Sequence, residues 1–261
     1  MRARNQHLKR LLSLLLTVAM VLTMIPAAFA ADTTTSSGFV IGPYLLAPKT
    51  TSMVAVWETS GSEPTTIRFG TDADTLGEAV TVERDPEAPD YGGAQTNIFH
   101  YKFSDLTPGT RYYYEVALAD GEVSRGTFRT LEENPTEIRY ISITDTHKFD
   151  TKSTFDAAVA AYDPAFIIHG GDMVEGTGTQ KEQYAFWFNS GEFIHNYPVV
   201  YACGNHDFSD YFDMYVIDTQ TEEYGSVVEG NISFDYGDVH FDLMDSNPWA
   251  LFPMNAETSG G

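Results

Sequence analysis

The chain has 261 residues, room for one large domain or two modest ones, and a formal charge of −22 from 37 acidic against 15 basic side chains. Four of the basic residues, Arg2, Arg4, Lys9 and Arg10, fall in the first thirty positions, which hold no acidic residue, so the remainder carries −26. Such a surface repels the nucleic-acid backbone and anionic membranes, which argues against duplex binding and against a membrane-surface role.

The basic start leads into an apolar run, Leu11 to Ile25, and then Ala28-Phe29-Ala30. That is the pattern of a secretory signal peptide cleaved after Ala30, so residues 1–30 are expected to be removed and the protein to work outside the cytoplasm. No later segment is long and apolar enough to span a bilayer, so no stable membrane insertion is expected after cleavage. The single cysteine, Cys203, can form no internal disulfide and is expected to act as a small buried hydrophobe.

Residues 31–38 read as a Thr/Ser linker. From Phe39 to Leu131 short apolar runs alternate with turn residues. They are Met53–Trp57, Thr66–Phe69, Ala79–Val82, Ile98–Phe103, Tyr112–Leu118 and Gly126–Arg129. Strands at this spacing predict an all-β sandwich over 39–131, with Trp57 in its core. Glu132-Glu133-Asn134-Pro135 is a polar joint ending in proline, where the chain is expected to pass between domains.

The pattern then changes. Ile138–Ile143, Ala165–Ile168 and Val199–Ala202 read as buried strands. Between them, Thr151–Tyr162 has helical spacing with Phe155, Ala158, Val159 and Tyr162 on one face, and Thr151 placed to cap it. Lys181–Phe193 reads as a second helix with Tyr184, Trp187 and Phe188 inward. Alternating strands and helices predict an α/β domain over 136–261 with parallel pairing. Ile232–Tyr236 and Val239–Met244 form a hairpin about Gly237-Asp238.

Each of the three strands runs into a polar motif: Asp145-Thr146-His147, Gly170-Gly171-Asp172 and Gly204-Asn205-His206-Asp207. Open α/β sheets place their sites at such strand ends. A carboxylate and an imidazole two residues apart, Asp145 and His147, can share a cation. Asp172 can bridge two cations, and Asn205 offers a neutral oxygen. His206 can donate a proton or steady charge on phosphate, and Asp207 can orient its imidazole. Two metals close together suit phosphate-ester hydrolysis. His169 reads as structural, and His195 as a cation at a helix end.

The three motifs resemble those of the calcineurin-like metallophosphoesterase superfamily. The first half resembles the fibronectin type III-like domain that precedes the catalytic domain of purple acid phosphatases, and Leu106–Tyr112 resembles the turn that carries its corner tyrosine. The resemblance implies an incomplete two-sheet αββα sandwich holding two divalent or trivalent ions (Fe, Mn or Zn). It implies Asp145 and His147 on one metal, Asp172 bridging, Asn205 on the second, and His206 catalytic at the phosphate. The substrate is then a small phosphate ester. Purple acid phosphatases have a tyrosine where this chain has Glu175, so a colourless protein is expected.

The family's lone histidine and its Gly-His-x-His do not follow. The only histidine after His206 is His240, expected to be a strand residue of the hairpin. The expectation is a C-terminally truncated copy or a fragment of a longer chain. The competing expectation is a non-catalytic binding or scaffold protein, with an incomplete metal site and a sandwich that contacts a cell surface.

Overall fold

In the computed structural model, the described residues are 38–86, 88, 90–91, 94–147, 149–175, 180–207, 212–226 and 230–246. The expected signal peptide and nearly all of the expected linker lie outside them, as does the polar C-terminal tail.

Among the described residues, nine strands come first. A three-stranded sheet is ordered β1 (Phe39–Leu46), β2 (Met53–Thr59), β7 (Ile98–Phe103). A four-stranded sheet is ordered β4 (Val80–Val82), β3 (Thr65–Gly70), β8 (Arg111–Ala117), β9 (Val123–Arg129). A two-stranded ribbon, β5 (Asp90–Tyr91) and β6 (Ala94–Gln95), lies between β4 and β7 in sequence. All of these pairings are antiparallel. The two larger sheets face each other across Leu45, Met53, Ala55, Trp57, Phe99, Phe103, Tyr114 and Phe128. The register sets Arg68, Glu115 and Arg125 side by side on adjacent strands. Glu115, 5% exposed, is neutralised by Arg68 at 2.6 Å and Arg125 at 2.5 Å.

Every residue of β2 is buried. Met53, Ala55 and Trp57 enter the sandwich core, while Val54 and Val56 point the other way into a second core. That second core joins Ile41, Tyr44, Leu46 and Ile98 of the sandwich to Phe155, Tyr184, Trp187, Phe193 and Tyr215 of the following half. A strand buried on both faces reads as an unbroken apolar run, as Met53–Trp57 does.

The second half holds a parallel sheet, β10 (Tyr140–Ile143), β11 (Phe166–His169) and β12 (Val199–Tyr201), in that order. One face packs on α1 (Lys152–Tyr162), α2 (Gln180–Phe188) and α3 (Phe193–Asn196). The other packs on the hairpin of β13 (Ile232–Tyr236) and β14 (Val239–Leu243) through Phe166, Val200, Phe234 and Phe241.

Several expectations need correction. β10 is shorter than Ile138–Ile143 and half-exposed, because it is an edge strand. Tyr162 is 64% exposed; the helix ends beside it at Asp163, which has left-handed backbone. Thr151 makes no side-chain cap; the Asp150 carboxylate accepts the Lys152 N–H instead, at 3.1 Å. The helix expected over Lys181–Phe193 is two, broken at Asn189-Ser190-Gly191. Asn189 turns away to accept the Gly42 N–H and to donate to the Val40 carbonyl. The reading also passed over a helical stretch in which a π-helix, Asp213–Ile217, runs into α4 (Asp218–Tyr224).

Candidate metal centre

The loops after β10 and β11 are joined main chain to main chain. Asp145 N–H donates to the Gly171 carbonyl at 3.0 Å, and His147 N–H to the Asp172 carbonyl at 2.9 Å. This pairing holds Asp145, His147 and Asp172 in left-handed backbone, at φ 55°, 45° and 58°. Residues with side chains rarely adopt that conformation, and they cluster in it at ligand sites. The result is convergence: one ligand atom from each of Asp145, His147 and Asp172 lies within 4.8 Å of the others.

The imidazole of His147 is already set for coordination. Its Nδ1 lies 3.0 Å from the Val174 carbonyl oxygen, which can only accept, so Nδ1 carries the proton. Nε2 then presents its lone pair, and it sits 3.9 Å from Asp145 Oδ1. A carbonyl that fixes the far nitrogen is the usual support for a metal-binding histidine. Two carboxylates and such an imidazole fit a divalent transition metal.

The loop after β12 closes over Asp172. Gly171 and Gly204 meet here. A Cβ on Gly204 would fall 2.2 Å from both the main-chain nitrogen and Oδ1 of Asp172, so no side chain fits. His206 N–H donates to Asp172 Oδ1 at 2.9 Å. The His206 ring stands perpendicular to that of His147, with centroids 5.2 Å apart. Asn205 is exposed in the same loop.

Asp207 sits differently from the expectation. The imidazole of His206 is oriented by the Glu175 carbonyl, 2.6 Å from Nδ1. The Asp207 carboxylate, fully buried, instead accepts the main-chain N–H groups of Asp172 at 2.6 Å, Met173 at 2.8 Å and Gly204 at 3.1 Å. It is a clamp that ties the second loop to the third. Burial pushes its carboxyl up to about 6, against the pull of those donors.

His169 is fully buried beneath the first loop. Its Nδ1 accepts the Gly171 N–H at 3.1 Å, so the ring proton is on Nε2, which donates to Thr146 Oγ1 at 2.9 Å. Burial lowers this histidine to about 3 and keeps it neutral. His195 corrects an expectation: burial lowers it too, so it is no cation at a helix end, and its Nδ1 donates to the Pro43 carbonyl of β1. His240 lies on β14 as expected, exposed and paired with Asp235 and Asp242. Cys203 is half-buried, and burial raises its thiol.

Sequence reasoning missed Gln183 and Tyr184 as supports of this site. Glu175 N–H donates to Gln183 Oε1 at 2.7 Å, and the Tyr184 hydroxyl donates to the Asp207 carbonyl at 2.9 Å. Tyr184 stood out only as an aromatic of the core.

Two family descriptions match the chain. Residues 44–151 match the purple acid phosphatase N-terminal domain, and residues 138–258 match the calcineurin-like phosphoesterases. The second match spans the strand-end loops that bring Asp145, His147 and Asp172 together, and the first spans the sandwich that precedes them. Among solved structures, PhoD is similar at 14% identity and a TM-score of 0.58, over 82% of this chain and 53% of that one. The purple acid phosphatase PPD1 from yellow lupin seeds is similar at 17% identity and a TM-score of 0.53, over 77% and 43%. The chain thus spans about half the length of these structures. No curated protein sequence matches it significantly.

Proposed function

We propose that this chain belongs to a metal-dependent phosphoesterase that acts outside the cytoplasm on phosphate mono- or diesters. One observation carries the reading: the convergence of Asp145, His147 and Asp172 within 4.8 Å, with the lone pair of His147 Nε2 left toward Asp145. Bound ions of the Fe, Mn or Zn class would neutralise phosphate charge and supply a nucleophile at neutral pH. Asp145 and His147 would hold one ion, Asp172 would bridge, and Asn205 would reach a second.

The remaining chemistry belongs to the chain itself. His206 carries its proton on Nδ1, because that nitrogen meets the Glu175 carbonyl. In its charged form it also bears a proton on Nε2, which it can give to a leaving oxygen. Asp207 keeps Asp172 in place through the main chain and does not contact the reacting atoms in this reading. The sandwich is read as fibronectin type III-like on its corner tyrosine, whose hydroxyl accepts the Thr107 N–H at 2.9 Å. Export rests on the signal-peptide pattern, and N-terminal sequencing of secreted protein should begin at Ala31.

The test combines calorimetric titration with Mn2+ or Zn2+ and hydrolysis of a phosphate monoester and a diester. Asp172→Asn should abolish tight metal binding and lower hydrolysis by about a hundredfold or more, the scale of a lost charge-stabilising group. Unchanged metal content and unchanged hydrolysis would sink the proposal. The binding-protein reading is favoured by the exposure of Asp145, whose side chain is 62% accessible. Metal binding without hydrolysis would select it.

A further inference from the structure

The loops that frame His206 are anchored by a helix, and that helix is anchored by the sandwich. On α2, Gln183 accepts the Glu175 N–H at 2.7 Å, and the Glu175 carbonyl in turn receives His206 Nδ1 at 2.6 Å. The next residue, Tyr184, holds the Asp207 carbonyl on the other side at 2.9 Å. Two adjacent side chains of one helix therefore fix both flanks of the imidazole.

The same helix reaches into the first half of the chain at each end. Near its start, Lys181 Nζ lies 2.7 Å from Glu58 Oε1 on β2. Glu58 is 1% exposed, and its other oxygen accepts the Tyr215 hydroxyl at 2.5 Å. Past its end, Asn189 bridges Val40 and Gly42 of β1, and Phe188 stacks on Tyr44 with centroids 4.1 Å apart. A carboxylate taken out of water persists only when paired, so Glu58 ties the position of Lys181 to that of β2.

We propose that Gln183 is a positioning residue for the His206 imidazole, and that the sandwich, through Glu58 and Lys181, holds α2 where Gln183 can act. Gln183 acts only through the Glu175 main chain. Its amide oxygen pins the Glu175 nitrogen, which sets the carbonyl that selects the proton-bearing nitrogen of His206. The sandwich is then part of the site's framework as well as a neighbour of it. The importance of this arrangement rests on the reading of His206 as the histidine facing phosphate. Its test does not, because it is made on metal-free protein.

The experiment is nitrogen NMR of labelled histidine side chains in the full chain. The wild type should show His206 protonated on Nδ1. Gln183→Leu should move the tautomer ratio about tenfold toward Nε2, the scale of one lost hydrogen bond. Gln183→Glu, which still offers an oxygen to Glu175, should restore the wild-type pattern. A folded Gln183→Leu protein with the wild-type ratio, or a Gln183→Glu protein that behaves like Gln183→Leu, would overturn the role of Gln183. If Gln183→Leu does not fold, Gln183→Ser, too short to reach Glu175, takes its place with the same two outcomes. The double variant Glu58→Gln/Lys181→Met removes the ion pair as a unit and should shift the ratio in the same direction. No shift in that folded double variant would overturn the part played by the sandwich. Loss of the metal-binding reading through Asp172→Asn would leave these results intact.

Discussion

Asp207 shows how one side chain can shape a site that it does not enter. Its two oxygens gather main-chain N–H groups from the loop that carries Asp172 and from Gly204. Asp207→Asn keeps the volume but turns an NH2 group toward N–H donors, leaving buried groups unpaired. The expected cost is about 1–3 kcal/mol of stability, read from urea denaturation, with weaker metal binding because Asp172 shifts. An unchanged denaturation midpoint would contradict the clamp. The role was not legible in the sequence. Asp207 adjoins His206, which suggested a pair, whereas its partners at Asp172 and Met173 lie 35 and 34 positions away in the chain. Asp145, His147 and Asp172 were legible, because each follows an apolar strand that ends in polar or glycine residues.

Elements were read well where one face is apolar and the ends carry turn residues. β3, β7, β8 and α1 met those conditions, and β2 stood out instead as an unbroken apolar run buried on both faces. The split of α2 from α3 was missed because aromatic residues continue at helical spacing through Phe193. The polar Asn189-Ser190-Gly191 step, which competes with the helical backbone, was the stronger signal. The stretch from Asp213 to Tyr224 was passed over for another reason. Met214, Tyr215, Val216 and Ile217 are all buried, so they form no single stripe. The wider π-helical turn, held from the sandwich by Tyr44 bonding to the Tyr215 carbonyl at 2.6 Å, accommodates them. A signal did exist at the far end, where Gly225 closes α4 in left-handed backbone at φ 66°. Gly225→Ala should cost about 1 kcal/mol, because an alanine there is strained in the folded state. A thermal unfolding midpoint equal to the wild type's would show that the cap carries no such strain.

Across the whole molecule, the two halves share β2, so unfolding by denaturant should show one transition by both tryptophan fluorescence and far-UV circular dichroism. Two separated transitions would mean that the halves fold independently. The pH dependence follows from His169 and His195, both held neutral by burial. Their folded values are depressed, so the unfolded chain binds more protons below about pH 6.5. Stability is full above that pH and falls as the pH drops toward the folded value, about 3 for His169. Each histidine should contribute a slope of up to about 1.4 kcal/mol per pH unit. Denaturation at constant ionic strength between about pH 7 and 6 measures it, above the range where Asp207, raised to about 6, takes up most of its proton in the folded state and opposes the slope. A flat profile there would mean that these histidines are protonated without penalty.

The doubly buried β2 also constrains how such a chain can be recombined. Glu132 to Pro135 invites a crossover, since the backbone there passes from one half to the other. A crossover at that point would part Ile41, Tyr44, Leu46, Val54 and Val56 from the aromatic residues they pack against. A foreign sandwich would have to match that wall side chain for side chain, and also bring a carboxylate to meet Lys181. Loops at the strand ends can be exchanged one at a time, but the two halves are heritable only as a pair.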